Sequence, residues 1–237
     1  IGLAKKGINV VINYSKSKEK AEEIEKICNE YEVETLCVKG NVALDNDCKH
    51  IVDKTIKKFN KIDILVNNAG TTKFANHQKL DALTDEDFIN IYRVNVIGPY
   101  QMIRAVEPHM KKQEYGSVVN VSSIAGKTGI GSSIAYAASK GALNTMTLSL
   151  AKSLGPEIRV NTVCPGFIGT GWFLDRFGEE TFNRIVKDQE SLTPLKRAGT
   201  PEDIAKSVIF FCLEGGEHIT GETLISDAGM HLALPKQ

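Results

Sequence analysis

Short β-branched runs alternate with amphipathic stretches along almost the whole chain, and this alternation restricts its fold more than any other feature. Residues 8–13 (Ile-Asn-Val-Val-Ile-Asn) follow Gly7 and read as a strand. Residues 17–31 then place Ala21, Ile24, Ile27 and Cys28 at helical spacing among Lys and Glu. A strand is expected at 34–38. A helix is expected over Asp45–Phe59, with Cys48, Ile51, Val52 and Ile56 on one face. The apolar run 62–66, interrupted only by Asp63, has the character of a strand buried on both sides of a parallel sheet. A long helix should follow over 85–112, bent near Pro99 or Pro108. Residues 117–121 and 158–163 are the next strands, separated by a helix at 135–154. A helix at 201–213 opens with proline in its first turn, and a strand at 223–225 closes the series. Strand and helix in turn predict an α/β protein, a doubly wound parallel sheet. No internal repeat, low-complexity tract or linker divides it, so residues 1–237 are expected to form a single domain.

The beginning of the chain is unusual against that pattern. Residues 3–7 read as the last turn of a helix ending at a Gly7 cap. A nucleotide-binding sheet needs a strand and a glycine-rich turn ahead of such a helix. Gly2 stands too close to Gly7 to close a phosphate-binding loop, so the expectation is that the first strand and the glycine-rich loop are absent from the chain as written. Without them a central strand and the pyrophosphate cradle would be gone.

Composition removes several classes of function. Lys plus Arg (29) equals Asp plus Glu (29), which argues against a nucleic-acid binder. No apolar run approaches the roughly eighteen residues of a membrane helix. The five cysteines are odd in number and never spaced C-x-x-C, so they read as free thiols of a reducing compartment, and a cytoplasmic location is expected. The five histidines show no ligand spacing, and no metal is assigned.

Polar residues cluster where strands end, which is where open α/β sheets bind ligands. Asn67-Asn-Ala-Gly70 follows the apolar strand, and Val119-Asn-Val-Ser-Ser123 runs a strand into a polar turn. Pro165-Gly166 follows another strand, and Asn95 interrupts an amphipathic helix. Tyr136-Ala-Ala-Ser-Lys140 puts a phenol and an ammonium one helical turn apart, thirteen residues beyond Ser123. That spacing alone is weak, because Tyr14 and Lys18 share it. The combination and order carry the signal.

These segments, together with the 220–223 Thr-Gly-Glu-Thr sequence, make residues 7–230 resemble the short-chain dehydrogenase/reductase family. The 165–170, 201–205 and 219–224 segments most resemble its 3-oxoacyl-(acyl-carrier-protein) reductases. The resemblance implies a Rossmann-like fold and a reaction in which a carbonyl becomes a hydroxyl at the expense of a nicotinamide coenzyme. It implies that Tyr136 is the general acid, Lys140 lowers its pKa and holds the ribose, Ser123 hydrogen-bonds the substrate carbonyl, and Asn95 positions a water. It also implies that Asn41 and Val42 flank the adenine, while Asn68, Ala69 and Gly70 approach the coenzyme through backbone. Pro165 and Gly166 would form the turn beside the nicotinamide, whose carboxamide would meet Ile168 and Thr170. At the end of the first visible strand stand Ser15 and Lys16, with Lys18 beyond and no acid to grip a bare ribose, so NADP(H) is favoured over NAD(H).

The aromatic segment 171–192 lies where the family carries a substrate lid, with a buried helix pair as the duller alternative. Arg93, Arg104, Lys111 and Lys112 are candidates for a patch that docks an acyl carrier protein, or else a solvated helix face. Small residues early in the 135–154 helix allow close helix approach, and the resemblance implies a homotetramer. The leading expectation is thus NADPH-dependent reduction of a 3-oxoacyl thioester. A short-chain alcohol or sugar dehydrogenase is the alternative in the same class. A non-catalytic dinucleotide-sensing scaffold is the alternative outside it, and the intact Ser123, Tyr136, Lys140 and Asn95 set counts against that.

Overall fold

The structure is a computed structural model that describes residues 1–232. Its elements follow the alternation closely. β1 (Val10–Tyr14) leads to α1 (Lys18–Asn29), β2 (Thr35–Lys39) and α2 (Asp45–Phe59). β3 (Ile64–Asn67) is followed by α3 (Asp85–Tyr92), α4 (Gly98–Lys112) and β4 (Gly116–Val121). Then come α5 (Ala125–Thr128), α6 (Ile134–Leu154), β5 (Ile158–Pro165), α7 (Gly171–Leu192), α8 (Pro201–Cys212) and β6 (Thr223–Ser226). Gly7 does cap a helical turn, a short 3₁₀ segment at Ala4–Lys6, from the left-handed region that glycine adopts freely.

All strand pairs are parallel, in two groups: β1 with β2, and β3-β4-β5-β6. Among the described residues no strand pairs with β3 on its side away from β4, or with β1 on its side away from β2. Those two edges line a cavity of about 650 Å³ whose walls include Val10, Val11, Ile51, Leu65 and Val66. The strands therefore form two groups, with β1 and β3 facing each other across this cavity and not hydrogen-bonded.

Helices cover both faces. Val118 and Val119 are adjacent and fully buried, yet they enter different cores, as alternating side chains of a central strand must. Val118 joins α2, α4 and α6 residues such as Ile51, Ile103, Val106 and Leu154. Val119 joins Val163, Val208 and Phe211 under α8. Both helices that enter from long loops begin with a reciprocal cap: Thr84 with Asp87 at α3, and Thr200 with Asp203 at α8.

The stretch 85–112 is helical throughout, with Pro99 in the first turn of α4 and Pro108 inside it. The irregularity is a π-helical segment, Arg93–Ile97, centred on the fully buried Asn95.

Polar side chains also cross the core beneath the strand ends. Asn67 and Asn120 are register partners, and Asn67 Nδ2 donates to Asn120 Oδ1 at 2.9 Å. Asn120 Nδ2 donates to Thr147 Oγ1 at 2.9 Å, and Thr147 shares a 2.7 Å hydrogen bond with Thr162. This ladder ties three strands to α6 with each amide group used. Replacing Asn120 by alanine leaves the Asn67 amide unsatisfied beside a cavity. The expected loss is about 3 kcal/mol, seen as a lower urea midpoint with an unchanged slope.

Candidate active site

Three strand ends and the start of α6 converge. The side chain of Ser133 caps α6 by accepting from Tyr136 N at 3.2 Å, which fixes Tyr136 in the first turn. Lys140 lies one turn later, and its ammonium stands 5.7 Å from the centre of the Tyr136 ring. The Lys140 side chain is almost fully buried (4% exposed), and Nζ donates to the carbonyl of Val121, at the end of β4, at 2.9 Å.

The two serines after β4 separate cleanly. Ser122 is buried and its hydroxyl donates to the Lys140 carbonyl at 3.1 Å, stapling strand to helix. Ser123 stands close enough to the Tyr136 phenol to draw its pKa down, and accepts from Ala125 N at 3.1 Å. The thirteen-residue spacing therefore marks the serine that meets the phenol. Gly126 makes this approach possible, since a side chain there would press to 2.5 Å from the Lys140 backbone carbon.

Electrostatics correct an expectation. Burial raises the Tyr136 pKa above the ordinary value of 10.0, and Ser123 pulls it only part of the way back. The expected lowering by Lys140 is not found. Its ammonium is bonded to Val121, and burial pushes its own pKa down to about 8. At neutral pH the phenol is thus a protonated donor.

Asn95 holds a loop to a helix. Its Oδ1 accepts from Thr71 N at 2.8 Å, while Nδ2 donates to Thr71 O and to Ser139 Oγ, both at 3.0 Å. Both amide hydrogens of the side chain hold the loop after β3 against α6. That loop brings Gly70 to the centre: a methyl group there would lie 3.7 Å from Lys140 Nζ and 3.5 Å from Asn95 Oδ1.

Six of the expected coenzyme residues, Ser15, Lys16, Asn41, Val42, Ala69 and Gly70, line one cavity of about 650 Å³. Asn13 shapes its floor, donating from Nδ2 to the carbonyls of Val38 and Gly40 at the end of β2. Asn41 turns the chain by accepting from Ala43 N at 3.1 Å. No carboxylate lines the cavity, and Ser15, Lys16, Ser17 and Lys20 supply hydroxyls and ammonium groups at its far end. Lys20 is new. Lys18, nearer in sequence, is instead paired with Glu22 at 3.2 Å. The first-turn position of Lys20, four residues beyond Lys16, was the available signal. This donor set fits the phosphorylated adenosine end of a dinucleotide.

The other expected contacts lie elsewhere. Asn68 lines the seam between β1 and β3. Pro165 pairs with Ser226 at the end of β5, and Gly166 packs against Asp227 so tightly that a side chain would come to 2.6 Å. Ile168 bridges to Gly199, and Thr170 is the residue before α7. None of the five lines the Ser15–Gly70 cavity.

The 171–192 segment, α7, is two helical stretches joined at Gly178, where φ is 76° and ψ 166°, and none of its described side chains is fully buried. Phe167, Phe173, Phe177 and Phe182 pack ring to ring, and Phe177 meets Phe74 edge-on at 5.1 Å. The side chain of Trp172, in the expected lid, lies outside the described residues. The expected basic patch is mostly spent locally: Arg104 pairs with Asp45, Lys111 with Glu107, and Arg93 donates to Asn90. Among the described residues no cluster of His, Cys, Asp and Glu could hold a metal, and no helix is long and apolar enough to cross a membrane.

Comparison with known proteins agrees with this geometry. A family described as enoyl-(acyl carrier protein) reductase matches residues 2–231. The chain is 39% identical over 230 residues to a granaticin polyketide synthase putative ketoacyl reductase of Streptomyces violaceoruber, covering 97% of this chain and 89% of that one. It is 32% identical over 232 residues to a 3-oxoacyl-(acyl-carrier-protein) reductase of Staphylococcus epidermidis, covering 97% and 91%. A crystal structure of a putative short-chain dehydrogenase/reductase from Burkholderia xenovorans superposes with a TM-score of 0.88 at 38% identity, over 98% of this chain and 91% of that one. A gluconate 5-dehydrogenase from Burkholderia cenocepacia, in complex with NADP and tartrate, superposes at 0.86 with 27% identity, over 98% and 89%.

The buried ammonium has a pH signature. With a folded pKa of about 8 against an ordinary 10.5, holding the proton costs stability below pH 8, and that cost disappears as pH rises toward 10.5. The wild-type unfolding free energy should therefore rise across this window relative to Lys140→Met, measured by urea titration at a series of pH values.

Proposed function

Because the chain belongs to the short-chain dehydrogenase/reductase family, an oxidoreductase family, we propose that it reduces the 3-oxo group of an acyl thioester to a hydroxyl with NADPH as reductant. The single observation that carries the chemistry is the Ser123–Tyr136 hydroxyl pair set beside the buried Lys140. The ketoacyl substrate class is supported by the ketoacyl and 3-oxoacyl reductases among its relatives.

The bound nicotinamide supplies the hydride. The chain's own residues do the rest. Ser123 donates to the carbonyl oxygen and fixes its position. Tyr136, protonated because burial raises its pKa, gives its proton to that oxygen as the carbon–oxygen double bond becomes a single bond. Lys140, charged below pH 8, stands ready to hold the ribose hydroxyls. Ser15, Lys16, Ser17 and Lys20 would hold a 2′-phosphate, and the absence of a carboxylate among the cavity's lining residues supports NADP(H) over NAD(H). The acyl group is carried by coenzyme A or an acyl carrier protein. Copies of the chain associate as a homotetramer through α4, the π segment before it and α6, where Tyr100, Ile97 and Leu148 are exposed.

Oxidation of NADPH with acetoacetyl thioesters, followed by absorbance and set against gluconate, acetoin and cyclic alcohols assayed in both directions, tests the reading. Turnover confined to the sugars and alcohols would overturn the substrate class. Tyr136→Phe should lower turnover by about 1,000-fold while NADPH binding stays within about threefold. Replacing Lys16 and Lys20 together by alanine should weaken NADPH binding by tenfold or more, roughly the worth of one charged hydrogen bond, and leave NADH nearly unchanged.

A further inference from the structure

Ser139 has no part in the chemistry described above, yet it lies between the acid and the coenzyme cavity. It is fully buried, as is Asn95. Its hydroxyl accepts from Asn95 Nδ2 at 3.0 Å and donates to the Tyr136 carbonyl at 2.7 Å. Asn95 in turn holds both backbone groups of Thr71, and Thr71 lines the coenzyme cavity with Ala69 and Gly70.

The direction of this chain is locked. The Thr71 N–H can only donate, so the facing atom of Asn95 must be its oxygen. The amide nitrogen then faces Ser139, which must accept from it, and the serine proton is left to point at the Tyr136 carbonyl. Every donor and acceptor along the line is used once, and none of the side chains has water to replace a lost partner. A shift of the coenzyme-side loop therefore cannot leave the turn bearing Tyr136 and Lys140 undisturbed.

We infer that Ser139 is a positioning residue, coupling occupation of the coenzyme cavity to the placement of Tyr136 through Asn95 and Thr71. The inference rests on the reductase reading above. Removing the hydroxyl leaves the Asn95 amide short of a partner, so the loop wall and the acid both loosen. Ser139→Ala should lower kcat by about tenfold at saturating NADPH and thioester, with KM for the thioester within about twofold, and should raise the Kd for NADPH several-fold.

A double-mutant cycle separates coupling from general damage. If the chain acts as a unit, Ser139→Ala added to Asn95→Ala costs little more in kcat or NADPH affinity than Asn95→Ala alone. Effects that multiply would overturn the inference. So would a loss of turnover that matches the loss of folded protein in a thermal melt run at the assay temperature. If Ser139→Ala does not fold, Ser139→Cys, which keeps the size and a weak donor, is read in the same cycle. Should the wild type bind NADPH but reduce no thioester, the substrate reading fails. The NADPH-binding arm of the cycle then decides the coupling by itself.

Discussion

A lysine ammonium withdrawn from water organises the catalytic end of this molecule. Lys140 gives up its hydration for one neutral acceptor, the Val121 carbonyl, and the unfavourable balance shows in a pKa pushed down to about 8. Such a charge persists only where the surrounding packing leaves it no exit. β4 presents the carbonyl, Ser122 staples the following residue to the Lys140 backbone, and Gly126 lets α5 lie against α6 without a side chain between them. The loop after β3 closes the remaining side through Gly70. The same enclosure dries the Tyr136 phenol and keeps its proton in place, so one feature of the packing sets the protonation of both groups.

Beneath that site the interior is held by polar chains whose members are matched. Asn67, Asn120, Thr147 and Thr162 run across the sheet into α6, and Asn95 with Ser139 runs from the loop into the first turn of the same helix. Unpaired, each of these groups would be costly in a dry core, so the chains admit one register and one loop position. The floor of the site is fixed by these bonds. Its roof has another character: a cluster of phenylalanine rings on α7 and the loops facing it, with a break at Gly178 and no directional bonds between the rings.

Where local pattern decides, the amino-acid sequence is legible. The β-branched runs become strands within a residue or two, and α2 spans Asp45–Phe59 as its apolar spacing demands. Misreadings share a cause. The π segment that precedes Pro99 has no local signal, and its central Asn95 is bonded to Thr71 and Ser139, 24 and 44 residues away. Lys18 was as good a candidate anion ligand as Lys16 until its pairing with Glu22 took it out of the cavity. Arg104 and Lys111 looked like a basic surface, yet each is answered by a carboxylate, one of them on α2. The phenol acidity was inferred from an adjacent cation, whereas partial burial by distant segments raises its pKa.

By itself the sequence determined what repeats at short range: parallel strands joined by helices, and a tyrosine and lysine one turn apart because 3.6 residues complete a turn. Tertiary structure alone decided that Lys20 rather than Lys18 faces the cavity, and that Ser122 is spent on the Lys140 backbone. It also decided the charge state of the site. Helical and strand periodicities follow from backbone geometry and are written locally, but burial and hydrogen-bond partners depend on segments brought together from across the chain.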